Sequence, residues 1–194
     1  MPRLALLRHG HTAWNREGRI QGRTDVPLDG AARAQLQQLH LPAPWDRAPI
    51  WSSPLSRASE TAEIVSGRLP ATDAALIEMD FGHWEGSRGE DLFADGSSGF
   101  RHIEDWGWAF CPPGGESLIA VKNRLNQWVE RLTTDAVAVC HIGVMRVLMA
   151  QATGWDFASP PPFQIKRNRL YVIEIKQDGW QLESGFTRLV ERGS

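Results

Sequence analysis

Two histidines stand at the ends of short apolar runs, and their placement is the first sign of chemistry in this chain. His9 follows the run at residues 4–7 and Arg8, and His141 follows the run at 136–140. Continuous apolar runs of this length are typical of buried strands in a parallel sheet. Because the carboxyl ends of such strands form the ligand-binding crevice, we expect both imidazoles to lie there.

Glycines and arginines near these histidines favour an anionic ligand. Gly10 and Gly143 follow within two residues and let backbone N–H groups approach an anion closely. Arg8 precedes the first histidine, and Arg57 opens a predicted helix after a Ser-Ser-Pro-Leu turn. A guanidinium group is planar and matches two phosphate oxygens at once. The alternative interpretation is that each arginine makes a surface salt bridge, as most arginines do.

Five sequence blocks, in order and spanning about residues 4–154, resemble the signature of the histidine phosphatase superfamily. The resemblance is to the branch that contains cofactor-dependent phosphoglycerate mutases and small phosphatases. The blocks are RHGHTAWN at 8–15 with QG at 21–22 and DVPL at 25–28, SSPLSRA at 52–58 with ETA at 60–62, residues 78–86, PPGGES at 112–117, and VCHIGVMR at 139–146. A single Arg-His-Gly triplet is common, whereas five ordered blocks make a chance match negligible.

The resemblance implies a fold and a reaction. The fold is a three-layer α/β/α domain over residues 1–194 with a mostly parallel central sheet and an inserted cap at about 82–115. The reaction is phosphomonoester hydrolysis, in which His9 forms a phosphohistidine and Glu78 is the general acid and base. Neither a metal nor a cofactor is implied. The residues implied to contact the phosphate or the substrate are Arg8, Asn15, Gln21, Gly22, Arg57, His141 and Ile142.

Two positions depart from the family pattern, although neither removes a catalytic group. His11 stands where the family usually has Glu or Gln, and Ile142 stands where a small residue is usual. The role of Glu78 comes from the resemblance alone, because Asp80 and Glu85 lie nearby and spacing does not separate the three carboxylates.

Three other functions compete with a phosphatase. A phosphomutase would use the same histidine, but the short tail at 185–194 leads us to expect that water reaches the intermediate. His9 and His11 also have the spacing of metal ligands, as in metal-dependent hydrolases, although Arg8 would repel a cation. Activity that survives a strong chelator would exclude that reading. A non-catalytic phosphate-sensing module is the third alternative.

Composition narrows the partners. The 194 residues include 21 Lys and Arg against 23 Asp and Glu, a net charge of -2 that argues against general nucleic-acid binding. The apolar run at 4–7 is too short for a signal peptide or a membrane span, so we expect a cytoplasmic protein without a membrane partner. Two cysteines without metal-ligand spacing favour no disulfide framework. The expected partner is a small phosphomonoester such as a sugar phosphate or α-ribazole phosphate.

Periodicity locates the elements that position these residues. Helical spacing follows Asp29 as far as Leu39 and recurs at 55–65, 117–132 and 144–152. Besides the two histidine-terminated runs, strands are predicted at 49–53 and as a hairpin of 170–175 with 180–183. A weaker extended segment is predicted at 75–81.

The stretch from Gly82 to Pro113 follows the predicted acid and is rich in aromatic residues. Loops of this length are usually lids or small insertions, and we expect short helical turns within it. Trp106 and Trp108 flank Gly107, so both cannot easily face one core. We therefore predict that one of them lines the substrate pocket beside a flat apolar leaving group, with Arg88 or Arg101 serving a second anionic group.

Overall fold

A computed structural model describes residues 1–193 and is built around a seven-stranded sheet. Strand order along the main path is β4-β3-β5-β1-β6-β7, β8 pairs with β6, and β2 pairs with β9 in a separate ribbon. The first four strands of the path pair in parallel, and β6 joins them antiparallel. The strands are β1 (Arg3–Arg8), β2 (Leu39–His40), β3 (Ile50–Ser52), β4 (Ala71–Thr72), β5 (Ala136–Cys140), β6 (Arg169–Lys176), β7 (Gly179–Leu182), β8 (Thr187–Arg188) and β9 (Val190–Glu191).

In the described part of the chain, six α-helices and three short 3-10 helices connect these strands. Asp29 and Ser117 cap α2 and α5, with side chains that accept hydrogen bonds from backbone N–H groups in the first turn. The α-helices are α1 (Ala13–Arg16), α2 (Gly30–Leu36), α3 (Ser56–Ser66), α4 (Gly89–Ala94), α5 (Leu118–Val129) and α6 (Ile142–Thr153). The 3-10 helices are Ala74–Leu76, Gly82–Trp84 and Ile103–Asp105.

Alternate residues of β1 pack into two separate hydrophobic cores. Leu4 and Leu6 join a core with residues of α5 and α6, whereas Ala5 and Leu7 join a second core with residues of α2 and α3. Successive side chains of a strand point to opposite faces, so the sheet has helices on both sides. The predicted three-layer α/β/α class with a mostly parallel sheet is confirmed.

The register of β1 against β5 aligns the two histidines. The parallel ladder ends with Arg8 opposite Cys140, and the backbone N–H of His9 continues it by donating to the Cys140 carbonyl at 3.1 Å. His9 and His141 are therefore the next residues on adjacent parallel strands, and both leave the sheet at the same edge.

Two sequence-based expectations were wrong. Residues 75–81 are not extended along their length, because Asp73 caps the 3-10 helix Ala74–Leu76 by accepting from the Ala75 backbone N–H at 2.8 Å. The helix after Asp29 ends at Leu36 rather than Leu39, because Leu39 instead pairs in β2 with a strand near the end of the chain. The spacing of apolar residues within one segment gives no information about a partner strand this far away in the sequence.

The long segment after residue 82 contains helical turns, as predicted. They are Gly82–Trp84, α4 and Ile103–Asp105. None of the helices within residues 1–193 has the length and apolar character needed to cross a bilayer.

Candidate active site

A cavity of about 280 Å³ opens at the carboxyl ends of β1 and β5. All nine predicted site residues meet there. Seven of the nine are among the residues that line it: Arg8, His9, Asn15, Gln21, Arg57, Glu78 and Ile142. His141 and Gly22 contact this lining from behind. A larger crevice of about 760 Å³, between β7 and α5, has no histidine or cysteine in its lining.

His9 is held as a neutral imidazole with one free nitrogen. Its Nδ1 lies 2.6 Å from the Gly10 carbonyl oxygen, which can only accept, so Nδ1 carries the proton and Nε2 keeps its lone pair. Burial lowers the pKa of His9 well below 6.5, and the positive charges of Arg57 and Arg8 lower that pKa further. The site therefore presents an unprotonated ring nitrogen at neutral pH.

His141 lies against His9, with ring centroids 5.1 Å apart. Its Nε2 is 2.8 Å from the Ser53 hydroxyl oxygen, which orients the ring from the end of β3. The side chain is fully buried, and burial lowers its pKa well below 6.5, with the neighbouring His9 and Arg57 acting in the same direction.

Arg57 is a fully buried cation fixed by a loop rather than by a carboxylate. Its two terminal nitrogens donate to the carbonyl oxygens of Gly22 at 2.8 Å and Thr24 at 2.9 Å. Glu85 holds this loop by accepting from the backbone N–H of Arg23 and Thr24. A Cβ atom at Gly22 would lie 1.8 Å from a Glu85 oxygen, so the loop can approach this closely only with glycine there.

Two amide side chains are also oriented by hydrogen bonds at their oxygen ends. The Asn15 Oδ1 accepts from the Thr12 backbone N–H at 3.1 Å and from Arg167 Nη2 at 2.8 Å. The Gln21 Oε1 accepts from the Thr12 hydroxyl at 2.9 Å. In both residues this leaves the NH₂ group as the remaining donor at the cavity wall.

Several nitrogens around His9 are buried without any hydrogen-bond partner among residues 1–193. They are Arg8 Nε, Gln21 Nε2, Arg57 Nε and His141 Nδ1. A buried polar group left unpaired costs about 1–3 kcal/mol. These unpaired nitrogens come from four separate segments of the chain. One anion with several acceptor oxygens would accept hydrogen bonds from all of them.

Glu78 is the one carboxyl group that residues 1–193 contribute to the cavity lining, and it is buried. Burial raises its pKa above 4.5, against hydrogen bonds from the backbone N–H groups of Met79 at 2.8 Å and Gly143 at 3.1 Å that lower it. The approach of α6 is close, since a Cβ atom at Gly143 would lie 2.4 Å from Glu78 Oε1. The carboxyl group is thus held in place and biased toward its protonated form.

Two arginines at the site had no role in the sequence-based prediction. Arg167 donates from Nε to the His9 carbonyl oxygen at 3.1 Å, besides its bond to Asn15. Arg146 lines the cavity four residues after Ile142 on α6. Burial lowers the pKa of Arg167 to about 9 and that of Arg146 to about 10, and the charge of Arg8 adds to both shifts.

The stretch from Gly82 to Pro113, which we name the inserted segment, supplies part of the cavity wall. Trp106 and Arg101 line the cavity. We predicted from the sequence that one residue of each of two pairs would do so, Trp106 or Trp108 and Arg88 or Arg101. Trp108 does not, because its ring packs edge-on against Phe157 with centroids 5.0 Å apart. Arg88 lies outside the lining and bonds to an exposed glutamate. His11 is also outside it, and its buried Nδ1 has no partner among the described residues.

Residues 1–193 contain no group of three or more His, Cys, Asp or Glu side chains arranged to hold a metal ion.

Comparison with known proteins links this geometry to one family. The model of the histidine phosphatase superfamily (branch 1) matches residues 4–186. The chain is 33% identical over 189 residues to the adenosylcobalamin/alpha-ribazole phosphatase of Salmonella typhimurium, covering 89% of this chain and 90% of that protein. It is 30% identical to phosphoserine phosphatase 1 of Hydrogenobacter thermophilus, covering 91% and 88%. A solved phosphoglycerate mutase from Thermus thermophilus superposes with a TM-score of 0.72 at 32% identity, covering 98% and 99%.

The contacts of Arg167 generate a prediction about anion binding. Replacing Arg167 with Met removes the donors that fix Asn15 and the His9 carbonyl, and we expect inorganic phosphate to bind roughly tenfold more weakly by calorimetry. Arg167→Met should also raise the pKa of His9 in an NMR titration, because one of the positive charges that lower that pKa is gone. Arg167→Lys keeps the charge and should leave the pKa low.

Arg16→Met is the matched control, since Arg16 is an exposed arginine nearby whose charge is not among those that shift His9. If Arg167→Met and Arg16→Met bind phosphate equally well and leave the His9 titration unchanged, Arg167 does not position the site.

Proposed function

The chain belongs to the histidine phosphatase superfamily (branch 1), and we propose that it hydrolyses phosphomonoesters through a covalent phosphohistidine on His9. One observation carries this proposal above the others. Around the free Nε2 of a neutral, buried histidine, nitrogens of Arg8, Gln21, Arg57 and His141 lack partners among the described residues. This arrangement suits a tetrahedral phosphate placed for attack at phosphorus.

In the first step, the Nε2 lone pair of His9 attacks phosphorus, and the bond from phosphorus to the ester oxygen breaks. Repulsion by the phosphate dianion opposes this attack, so cations at the equatorial oxygens lower the barrier. Arg8 and Arg57 supply those cations, and His141 and Asn15 add neutral donors. The Gly10 carbonyl, which accepts from Nδ1, stabilises the positive charge that the ring acquires.

Glu78 donates a proton in the first step and accepts one in the second. In the first step it gives its proton to the departing alkoxide, so that a neutral alcohol leaves. In the second step the Glu78 carboxylate takes a proton from water as that water attacks phosphorus, and the bond from phosphorus to His9 Nε2 breaks. Inorganic phosphate leaves, and both residues return to their starting protonation states. The raised pKa of Glu78 supports this role, because the acid must hold a proton before each turnover.

We propose hydrolysis rather than transfer of the phosphoryl group to a second substrate, because proteins similar to this chain are named as phosphatases. Two similar proteins carry the names of phosphatases, one for adenosylcobalamin or alpha-ribazole and one for phosphoserine. Their names support the phosphomonoester of a small molecule as the substrate class. The expectation of a cytoplasmic enzyme that needs no metal stays a prediction.

The nucleophile is tested by replacing His9 with Ala. We expect turnover and phosphoenzyme trapping to be lost, because the proposed reaction transfers the phosphoryl group to His9 Nε2, which the variant lacks. A ³²P-labelled ester, quenched in alkali where phosphohistidine survives, measures trapping. His40→Ala is the matched control, since His40 makes the same bond to the carbonyl of the next residue, at 2.9 Å, but lies outside the cavity. Near-normal turnover in His9→Ala would overturn the mechanism.

The general acid is tested by comparing leaving groups. Glu78→Gln should reduce kcat for alkyl phosphates about 10²-fold or more and should spare activated aryl phosphates, whose phenolate leaves without a proton. With wild-type enzyme and an alkyl ester, the rate should fall on the acid side as His9 protonates, at a pH well below the ordinary histidine pKa of 6.5. It should fall on the alkaline side as Glu78 loses its proton, at a pH above the ordinary glutamate pKa of 4.5. Equal losses on both ester classes would exclude Glu78 as the acid.

The close contact between Gly143 and the Glu78 carboxyl group offers a second test of Glu78 as the general acid. Gly143→Ala places a methyl group 2.4 Å from Glu78 Oε1 and must move the carboxyl group. We expect a loss of about tenfold or more in kcat for alkyl phosphates, with phosphate affinity retained. Gly30→Ala also lies in the first turn of a helix, but with open space around it, and should be silent. Matching kinetics for the two alanine variants would contradict the assignment.

A further inference from the structure

The outer half of the cavity combines apolar walls with cations. Beyond the residues around His9, the lining contains six apolar side chains, three arginines and His102. The apolar side chains are Ile20, Phe81, Phe100, Ile103, Trp106 and Ile142, and the arginines are Arg19, Arg101 and Arg146. A leaving group bound next to Glu78 must therefore lie against apolar surface and within reach of positive charge.

Two of the three arginines have no counter-ion. Arg19 bonds to Glu17 at 2.6 Å and to the Gly86 carbonyl, so its charge is already paired. Neither Arg101 nor Arg146 forms an ion pair within residues 1–193, and Arg146 is partly buried. A partly buried cation such as Arg146 is normally paired, because removing an unpaired charge from water is costly, whereas Arg101 is exposed and its charge is open to a ligand that enters from solvent.

The rigid aromatic wall lies beside these cations. Trp106 stacks on Phe110 with ring centroids 4.5 Å apart and meets Phe81 edge-on at 6.3 Å. Its indole N–H donates to the Arg101 carbonyl at 3.0 Å, and the Arg101 guanidinium lies 4.8 Å from the centre of the Phe110 ring. Both polar ends of this cluster are therefore fixed, which leaves Trp106 to present an apolar surface at the cavity.

We propose that the alcohol part of the substrate carries a flat apolar portion and a second anionic group. Trp106 packs against the flat portion, and Arg101 and Arg146 bind the anion. The two arginines come from different elements, the inserted segment and α6, so they converge on the cavity from separate parts of the fold. This inference rests on the proposed hydrolase function and names the substrate class for that same site.

The charges also argue against a cationic leaving group. Glu78 is the single carboxyl group among the described lining residues, and its proton is needed for the leaving oxygen. Glu104 and Asp105 follow Arg101 closely but do not line the cavity. An ammonium group would meet unpaired guanidinium groups with no carboxylate to bind, whereas a carboxylate or a second phosphate would pair with them.

A matched set of aryl phosphates tests the proposal. The esters are 4-(carboxymethyl)-, 4-(carbamoylmethyl)- and 4-(2-aminoethyl)phenyl phosphate with their meta isomers. The alkyl spacer keeps the acidity of the leaving phenols nearly equal. We expect kcat/KM for the carboxylate to exceed that for the isosteric carboxamide about tenfold in at least one isomer series, as for one charge-assisted hydrogen bond. The ammonium ester should be the poorest substrate.

Variants assign the preference to named residues. Arg101→Gln and Arg146→Gln should each reduce the ratio of carboxylate to carboxamide toward one. Arg88→Gln, on the same inserted segment but outside the cavity, should keep the wild-type ratio. Trp106→Ala should raise KM for all the aryl esters and spare a small alkyl phosphate, whereas Trp108→Ala should leave KM unchanged for both.

The outcomes separate this inference from the proposed function. If the esters are hydrolysed with a phosphoenzyme but without charge preference in the wild-type enzyme, the anion subsite is overturned and the hydrolase stands. If no ester is hydrolysed and no phosphoenzyme forms, the hydrolase is overturned. In that case, calorimetry with hydroxyphenylacetate isomers and their amides decides the subsite, and equal affinities reject it. The wild-type ratio decides the question even where a variant does not fold.

Discussion

The parallel pairing of β1 with β5 is the constraint on which the rest of the site depends. It places Arg8 opposite Cys140, so the next residue on each strand is a histidine and the two imidazoles meet at 5.1 Å. A one-residue slip would turn the core-facing residues of β1 to the opposite sides of the sheet and separate the two cores from their helices. Hydrophobic packing of Leu4 to Leu7 thus sets the position of the candidate nucleophile.

Two cations of the site, Arg57 and Arg167, are held by backbone carbonyls rather than by carboxylates, and this has a functional consequence. Arg57 donates to the carbonyls of Gly22 and Thr24, and Arg167 donates to the carbonyl of His9. A carbonyl orients a guanidinium group without cancelling its charge, whereas a carboxylate would do both. The positive potential therefore stays available to a bound anion, and part of the folding free energy is used to keep these charges together.

The sequence was informative wherever a local pattern determines the structure. The apolar runs of β1 and β5 predicted the crevice, and the five blocks predicted the nine residues that meet in it. Arg167 could not be found in this way, because it lies in an irregular segment and contacts His9 across 158 positions. Arg146 stands within a quoted block, yet only the lining of the cavity gives it a place at the site. Residues 75–81 were expected to be extended, but the capping residue Asp73 was a sequence signal for the helical turn that begins there.

Burial gives His9 and Glu78 the protonation states that the proposed reaction needs. In water the imidazole is the stronger base, so of the two groups histidine holds the proton more tightly. Inside the cavity burial penalises the charged form of each group, which lowers the pKa of His9 and raises the pKa of Glu78. The charges of Arg57 and Arg8 oppose protonation of His9, while Arg57 opposes protonation of Glu78 as well. Desolvation must therefore dominate at Glu78, and a water-excluding substrate strengthens it further. A leaving group that fills the apolar outer cavity would keep the acid protonated while the arginines keep the nucleophile free.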